Sequence, residues 1–235
     1  MIKGMISRRQ LLYFSALFSF CYPIINFKHF LMADERNDNL YPLTIEILKE
    51  AYLAEITANM HYDEYCQKAL SENYQNIAYL FSALSNSEKI HAINYKNLMA
   101  SLEVAVESME VPVFSADTKK NLNNAAKNEL EKINQFYPRI YDQLLSESHE
   151  KAILYCMYSW KSHKQHEIMI RDIQSYSGIF FGPLARKIEN MNPNYHVCEI
   201  CGSTVDEMPT LPCEICTHTT FYYKKLKRPI LSAMK

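Results

Sequence analysis

The sequence predicts a mainly α-helical protein, a four-helix bundle followed by a small module held together by cysteines. Three observations carry this expectation. Only four glycines occur among 235 residues, so long stretches lack a helix breaker. From Leu43 onward the apolar residues recur every three to four positions, the period of an amphipathic helix. Four of the seven cysteines, Cys198, Cys201, Cys213 and Cys216, form two Cys-x-x-Cys pairs near the C-terminus, which suggests a metal knuckle site and not a disulfide framework. A chain of this length can bury a sizeable core. Its formal net charge of −1, without a basic stripe, gives no reason to expect nucleic acid as a partner.

Residues 1–33 have no place in the helical pattern. Ser7-Arg8-Arg9-Gln10-Leu11-Leu12 precedes an apolar run that reaches about Phe27, the pattern of a twin-arginine export signal, which places the protein in the periplasm or otherwise exported. An N-terminal membrane anchor is the alternative, although the run is shorter than the roughly 20 residues a spanning helix needs and Pro23 breaks it. No small-x-small cleavage site precedes Asp34, and Phe20 before Cys21 is a poor lipid-attachment context.

The bundle is expected over residues 34–177. The first helix should run from 43 to 71 on the stripe Ile47, Leu48, Ala51, Ala54 and Ala58, and the second from 74 to 101 on Ile77, Leu80, Phe81 and Leu84. Residues 102–117, with Pro112, form a connection long enough to cross the bundle, and Asp117 or Ser115 can cap the third helix. That helix is expected over 117–146 with a kink at Pro138. The fourth should occupy 148–176 and stop at Ser177-Gly178. Residues 178–194, with Gly182, Pro183 and Pro193, read as a linker, and 195–235 as the cysteine module.

Chemistry enters where charged residues interrupt the apolar stripes. Glu55 lies in the inward stripe of the first helix, and Glu88 and His91, three apart, share one face of the second. A carboxylate and an imidazole turned into a core are costly unless something binds them. One Glu plus a neighbouring Glu-x-x-His is half of a carboxylate-bridged two-metal site, so a second half is expected further along. Glu129 on the third helix and His163 with His166 on the fourth supply it in altered form, since a histidine stands where the motif has a glutamate. In the cysteine module, eleven residues separate the two pairs, and four thiolates so arranged favour tetrahedral iron or zinc; spacing does not choose between them. Tyr195, Phe221 and Tyr222 are the expected aromatic core of that module, and Trp160, the only tryptophan, is expected in the core or at an interface. Cys66 and Cys156 are expected on opposite sides of the metal layer, about 27 Å apart along the bundle, too far for a disulfide.

These residues together resemble the rubrerythrin family. Glu55-Ile-Thr-Ala-Asn with Tyr62, Glu88-Lys-Ile-His91-Ala, Tyr137-Pro138 and the terminal cysteine module carry the resemblance over roughly residues 40–225. It implies a ferritin-like bundle holding a non-haem di-iron centre, followed by a rubredoxin-like domain with an iron bound by Cys198, Cys201, Cys213 and Cys216. Taken residue by residue, it assigns ligand roles to Glu55, Glu88, His91, Glu129 and His166. His163 falls where the family has its second bridging Glu and Lys132 where it has its extra Glu. Tyr62 and Tyr137 match tyrosines that hydrogen-bond around the centre and serve as proton-donating neighbours. The family's subunits pair so that the cysteine module of one chain approaches the bundle of another, which implies a homodimer.

The implied activity is reduction of peroxide, with an external donor feeding electrons through the cysteine-bound iron. A non-catalytic electron-transfer or metal-binding protein, or ferroxidase-like iron handling, are the alternatives, because two of five carboxylates are missing. Charge sharpens the point. Two ferrous ions bring four positive charges, whereas Glu55, Glu88 and Glu129 return three negative ones and Lys132 adds another positive. The expectation is therefore one firmly bound ion at His163, His166 and Glu129 with Glu88 reaching across, while the position near Glu55 and His91 is weak or taken by the Lys132 ammonium.

Overall fold

The computed structural model describes residues 40–106, 111–174, 185–186 and 188–231, with the backbone alone at 171–174. The expected export signal, the Ser177-Gly178 stop and residues 178–184 and 187 of the expected linker lie outside the described residues. Helix α1 (Pro42–Ser71) opens on a proline, whose missing N–H costs nothing in a first turn. Asn73 then takes the left-handed conformation (φ 65°) that ends a helix, with Asn73 and Tyr74 donating back to Leu70 and Ala69, and α2 (Gln75–Ser101) returns alongside.

The third rod is α3 (Thr118–Glu131), a π turn (Lys132–Phe136) and α4 (Tyr137–Glu147). Asp117 caps α3, accepting from Lys120 N at 2.8 Å. The break falls before Pro138, not as a simple proline kink, and the reason is hydrogen-bond accounting. In a π turn each N–H reaches back five residues, as Tyr137 N–H does to the Lys132 carbonyl. Pro138 has no N–H to return to Ile133, and the Trp160 indole donates to that carbonyl instead, at 3.0 Å. Five α-helical residues would turn Tyr137 about 140° from Lys132; the wider turn puts both on the inward face. Ser148, left-handed at φ 53°, leads into the fourth rod, α5 (Glu150–Gln174).

Two apolar clusters fill the bundle. One holds Tyr62, Tyr65, Phe81, Leu84 and Leu122, the other Leu48, Ala51, Tyr95, Met99, Tyr137 and Leu144. Cys66 lies in the first and Cys156 in the second, both buried and free. Between the clusters lies a layer of buried Glu and His.

Helix ends are tied down by distant carboxylates. Glu147 accepts from Leu43 N (3.0 Å) and Thr44 N (2.8 Å) at the start of α1. Glu189 accepts from Asn76 N and Ile77 N at the start of α2, and Glu72 from Thr118 N at the start of α3. Ala185 and Ile188, in the stretch expected as linker, are buried against the first apolar cluster.

The cysteine module is a three-stranded antiparallel sheet in the order β2-β1-β3, made of β1 (His196–Cys198), β2 (Thr204–Val205) and β3 (Tyr223–Lys225). Its aromatic core differs in part from expectation: Tyr222 packs half-buried against the cysteine cluster as expected. Phe221 is 75% exposed, and Tyr195 packs edge-on against Tyr79 of the bundle, ring centroids 4.9 Å apart. Tyr223, adjacent in sequence, is the buried ring, because strand alternation turns it inward opposite Cys198. Bundle and module belong to one compact unit, Asn39–Lys235. No helix among the described residues is long and apolar enough to cross a membrane.

Candidate metal centres

The bundle's polar layer is built from one or two residues per helix. Glu55 comes from α1, Glu88 and His91 from α2, Glu129 from α3, and His163 and His166 from α5, and all six are fully buried. Their ligand atoms fall into two overlapping groups, Glu55–Glu88–His91–His163 and Glu88–Glu129–His163–His166, within each of which all atoms lie within 4.8 Å of one another. The α-helical spacing i, i+3 aims both Glu88/His91 and His163/His166 at the same point.

The two tyrosines close the layer from opposite sides. Tyr62 donates to Glu129 Oε1 and Tyr137 to Glu55 Oε1. Burial, reinforced by the Glu129 carboxylate, holds the Tyr62 phenol well above its ordinary pKa, so it stays a proton donor. Lys132 reaches in from the π turn. Its Nζ lies 2.6 Å from Glu55 Oε2, 3.7 Å from Glu88 Oε2 and 3.4 Å from His163 Nε2. Burial alone would favour the neutral amine, yet the Glu55, Glu88 and Glu129 carboxylates outweigh it and raise the lysine above its usual value. His163 is likewise buried but raised to about 10, by Glu88 foremost, against repulsion from Lys132. It donates through Nδ1 to Glu129 Oε2 at 2.6 Å.

The cysteine cluster is a second centre. Cys198 Sγ and Cys216 Sγ lie 3.7 Å apart and Cys201 Sγ and Cys213 Sγ 3.5 Å. Sulfurs about 3.8 Å apart are what a tetrahedral ion with ~2.3 Å bonds requires. Tyr223 OH donates to Cys213 Sγ at 3.3 Å and shares a 2.8 Å hydrogen bond with Ser203.

The two centres touch through the ligand candidates His91, His166 and Cys201 and through neighbours that sequence reasoning did not single out. His91 Nε2 donates to the Cys201 carbonyl at 3.1 Å. Because a carbonyl only accepts, that contact fixes the proton on Nε2 and turns Nδ1 toward the buried layer. His166 Nε2 similarly faces Thr204 Oγ1 at 3.5 Å. Ser87 Oγ donates to the Gly202 carbonyl (2.6 Å), Ser162 Oγ to that of Cys201 (2.9 Å) and Asn94 Nδ2 to that of Ile200 (2.9 Å). Gly202, at φ +79°, permits the approach, since a Cβ there would collide with the His91 ring and sit 2.8 Å from Ser87 Oγ. Ser87 and Ser162 each sit one residue before a ligand candidate, the only trace of this seam in the sequence. The module therefore seats on the bundle of its own chain, where the resemblance implied an approach between chains.

The sequence model of the rubrerythrin family matches residues 46–174, more than half of the chain. The chain belongs to the rubrerythrin family. Rubrerythrin-2 of Clostridium acetobutylicum is 28% identical over 176 residues, covering 74% of this chain and 91% of its own. Nigerythrin of Nitratidesulfovibrio vulgaris is 26% identical over 174 residues, 74% of this chain and 81% of its own. Among solved structures, fully reduced, all-ferrous nigerythrin superposes with a TM-score of 0.68 at 24% identity, over 78% of this chain and 86% of that one. The fold is thus the ferritin-like bundle with a rubredoxin-like cysteine module, and the protein is a non-haem iron protein of the rubrerythrin type.

The residues fit such metals unequally. The four thiols form a finished cradle. Within the Glu and His layer, two buried atoms, Glu88 Oε1 and His166 Nδ1, lack any hydrogen-bond partner among the described residues although they face each other at 3.4 Å. Buried polar atoms left so are costly, and a cation between them satisfies both.

Proposed function

We propose that this rubrerythrin is an oxidoreductase that reduces a peroxide with electrons delivered through its cysteine cluster. The observation that carries the reading is the hydrogen bond from the His91 imidazole to the Cys201 carbonyl, which joins a bundle ligand candidate to a cysteine ligand candidate within one chain. Iron held by Cys198, Cys201, Cys213 and Cys216 would exchange single electrons with an external donor, and metal held in the Glu and His layer would bind and reduce the peroxide. The chain's own contribution is burial and proton supply. Every Glu and His of the layer is closed off from solvent, which excludes competing water. Tyr62 and Tyr137 hold phenolic protons against Glu129 and Glu55, so protons for the departing oxygen atoms stand at the layer's edge.

A non-catalytic electron-transfer role is the second reading, favoured by the Lys132 ammonium already paired with Glu55. Mixing anaerobically reduced protein with hydrogen peroxide separates the two. Rapid return of the ferric thiolate colour, slowed in His91→Gln, supports peroxide reduction. Reoxidation by a one-electron acceptor but not by peroxide selects the second reading. Homodimer formation belongs to the proposal on the family resemblance, and export to the periplasm rests on the Arg8-Arg9 pattern alone.

A further inference from the structure

We propose that the bundle binds one divalent ion, between Glu88, Glu129, His163 and His166, and that the Lys132 ammonium occupies the place of a second. The proposal concerns what the layer can hold and does not depend on what the protein reduces.

The two halves of the layer are in different states of satisfaction. In the half that Glu88 and His166 share, Glu88 Oε1 and His166 Nδ1 have no partner among the described residues. Glu129 accepts from Tyr62 and, at Oε2, from His163 Nδ1 at 2.6 Å, an imidazole proton that a divalent ion can displace, and that oxygen lies 3.7 Å from His166 Nδ1. In the other half both oxygens of Glu55 are engaged, Oε1 by the Tyr137 hydroxyl and Oε2 by Lys132 Nζ at 2.6 Å. An ion bonded to Glu55 at ~2.1 Å would have to share that oxygen with an ammonium, and the lysine side chain is 13% exposed, leaving it little room to swing into solvent.

Charge gives the same answer. The layer holds three carboxylates, Glu55, Glu88 and Glu129, and one fixed cation, Lys132. One divalent ion with neutral histidines brings the sum to zero. Two bring it to +2 in a site sealed from water, where an uncompensated charge is heavily penalised. An empty layer leaves Glu88 Oε1 and His166 Nδ1 orphaned. Between one ion and two, one meets both conditions. The donor set, two imidazoles and two carboxylates, suits ferrous iron or another first-row divalent ion.

The test is metal stoichiometry on the full chain, loaded anaerobically with ferrous iron and freed of loose metal, with the cysteine-bound iron counted separately from its ferric thiolate absorption. One bundle iron per chain is expected. Two, or none, overturns the proposal. A Lys132→Glu plus His163→Glu variant restores five carboxylates, and its bundle is expected to take two ions; if that variant folds with native helicity and still takes one, Lys132 is not what excludes the second and the proposal fails. Should it not fold, Mössbauer spectroscopy of the oxidised wild type, in which ferric ions bound by thiolates, isolated in the bundle or spin-coupled are distinct, decides. An isolated ferric ion supports the proposal, and a spin-coupled pair overturns it.

Discussion

At the scale of single residues, Gly202 and Tyr223 show how closely the cysteine module is fitted. Gly202→Ala imposes a side chain on a left-handed backbone position and drives it into His91. A loss of about 2 kcal/mol is expected, from backbone strain and overpacking together, read as a lower denaturant midpoint. Glu55, Glu88, His91, Glu129, His163 and His166 could be read from the sequence because charged groups interrupt apolar stripes at helical spacing. Lys132 could be placed beside the vacated carboxylate by counting from Tyr137-Pro138, and it lies 2.6 Å from Glu55. Gly202, Ser87 and Ser162 could not, since their roles exist only across the seam between two elements far apart in sequence. Nothing in the sequence sets Tyr223 apart from its neighbours Phe221 and Tyr222, because a strand of three residues is too short for alternation to show.

At the scale of elements, the helices matched their periodicity closely, and what was not legible is how they begin and where the third rod is interrupted. Neither Tyr41 nor Tyr74 offers a side-chain cap, so apart from Pro42 in the first turn of α1 the two helices lack a local start signal. Glu147 does that work for α1 from 104 residues away. Glu147→Ala is expected to cost about 1 kcal/mol of stability near neutral pH. Burial, the largest single influence, would raise the Glu147 pKa, but the Thr44 and Leu43 N–H groups together outweigh it and hold the carboxyl below the usual glutamate value. A depressed folded-state pKa stabilises above the unfolded value and loses that contribution as pH falls through the folded one. The gap between wild type and variant should therefore be full at pH 7 and close in acid; thermal unfolding across that range checks it, and a gap that widens in acid would contradict the cap. The π turn is not legible in the sequence for a related reason. Pro138 signals a break, but the donor that stabilises the break, Trp160, is on another helix.

At the scale of the whole molecule, bundle and module form one unit from Asn39 onward, and the first helical hydrogen bond among the described residues is Ile45 N–H to the Tyr41 carbonyl. A chain beginning at Asp34 should therefore fold with unchanged helicity and melting temperature by circular dichroism; insolubility or lost helicity would show that residues 1–33 belong to the fold. The distant glutamate at the start of α2 has a consequence for how the protein is made. Glu189 follows Asn76 by 113 residues, so at ~5–20 residues per second a ribosome delivers it on the order of ten seconds later. Until then the nascent α2 has exposed, unpaired amides at its leading end and should fray. Cys198 comes only nine positions after Glu189, within roughly a second or two of synthesis. The locking of α2 and the arrival of the first of the four thiols thus fall in the same brief interval of synthesis, and a ribosome stalled before residue 189 would carry four rods that have not yet locked.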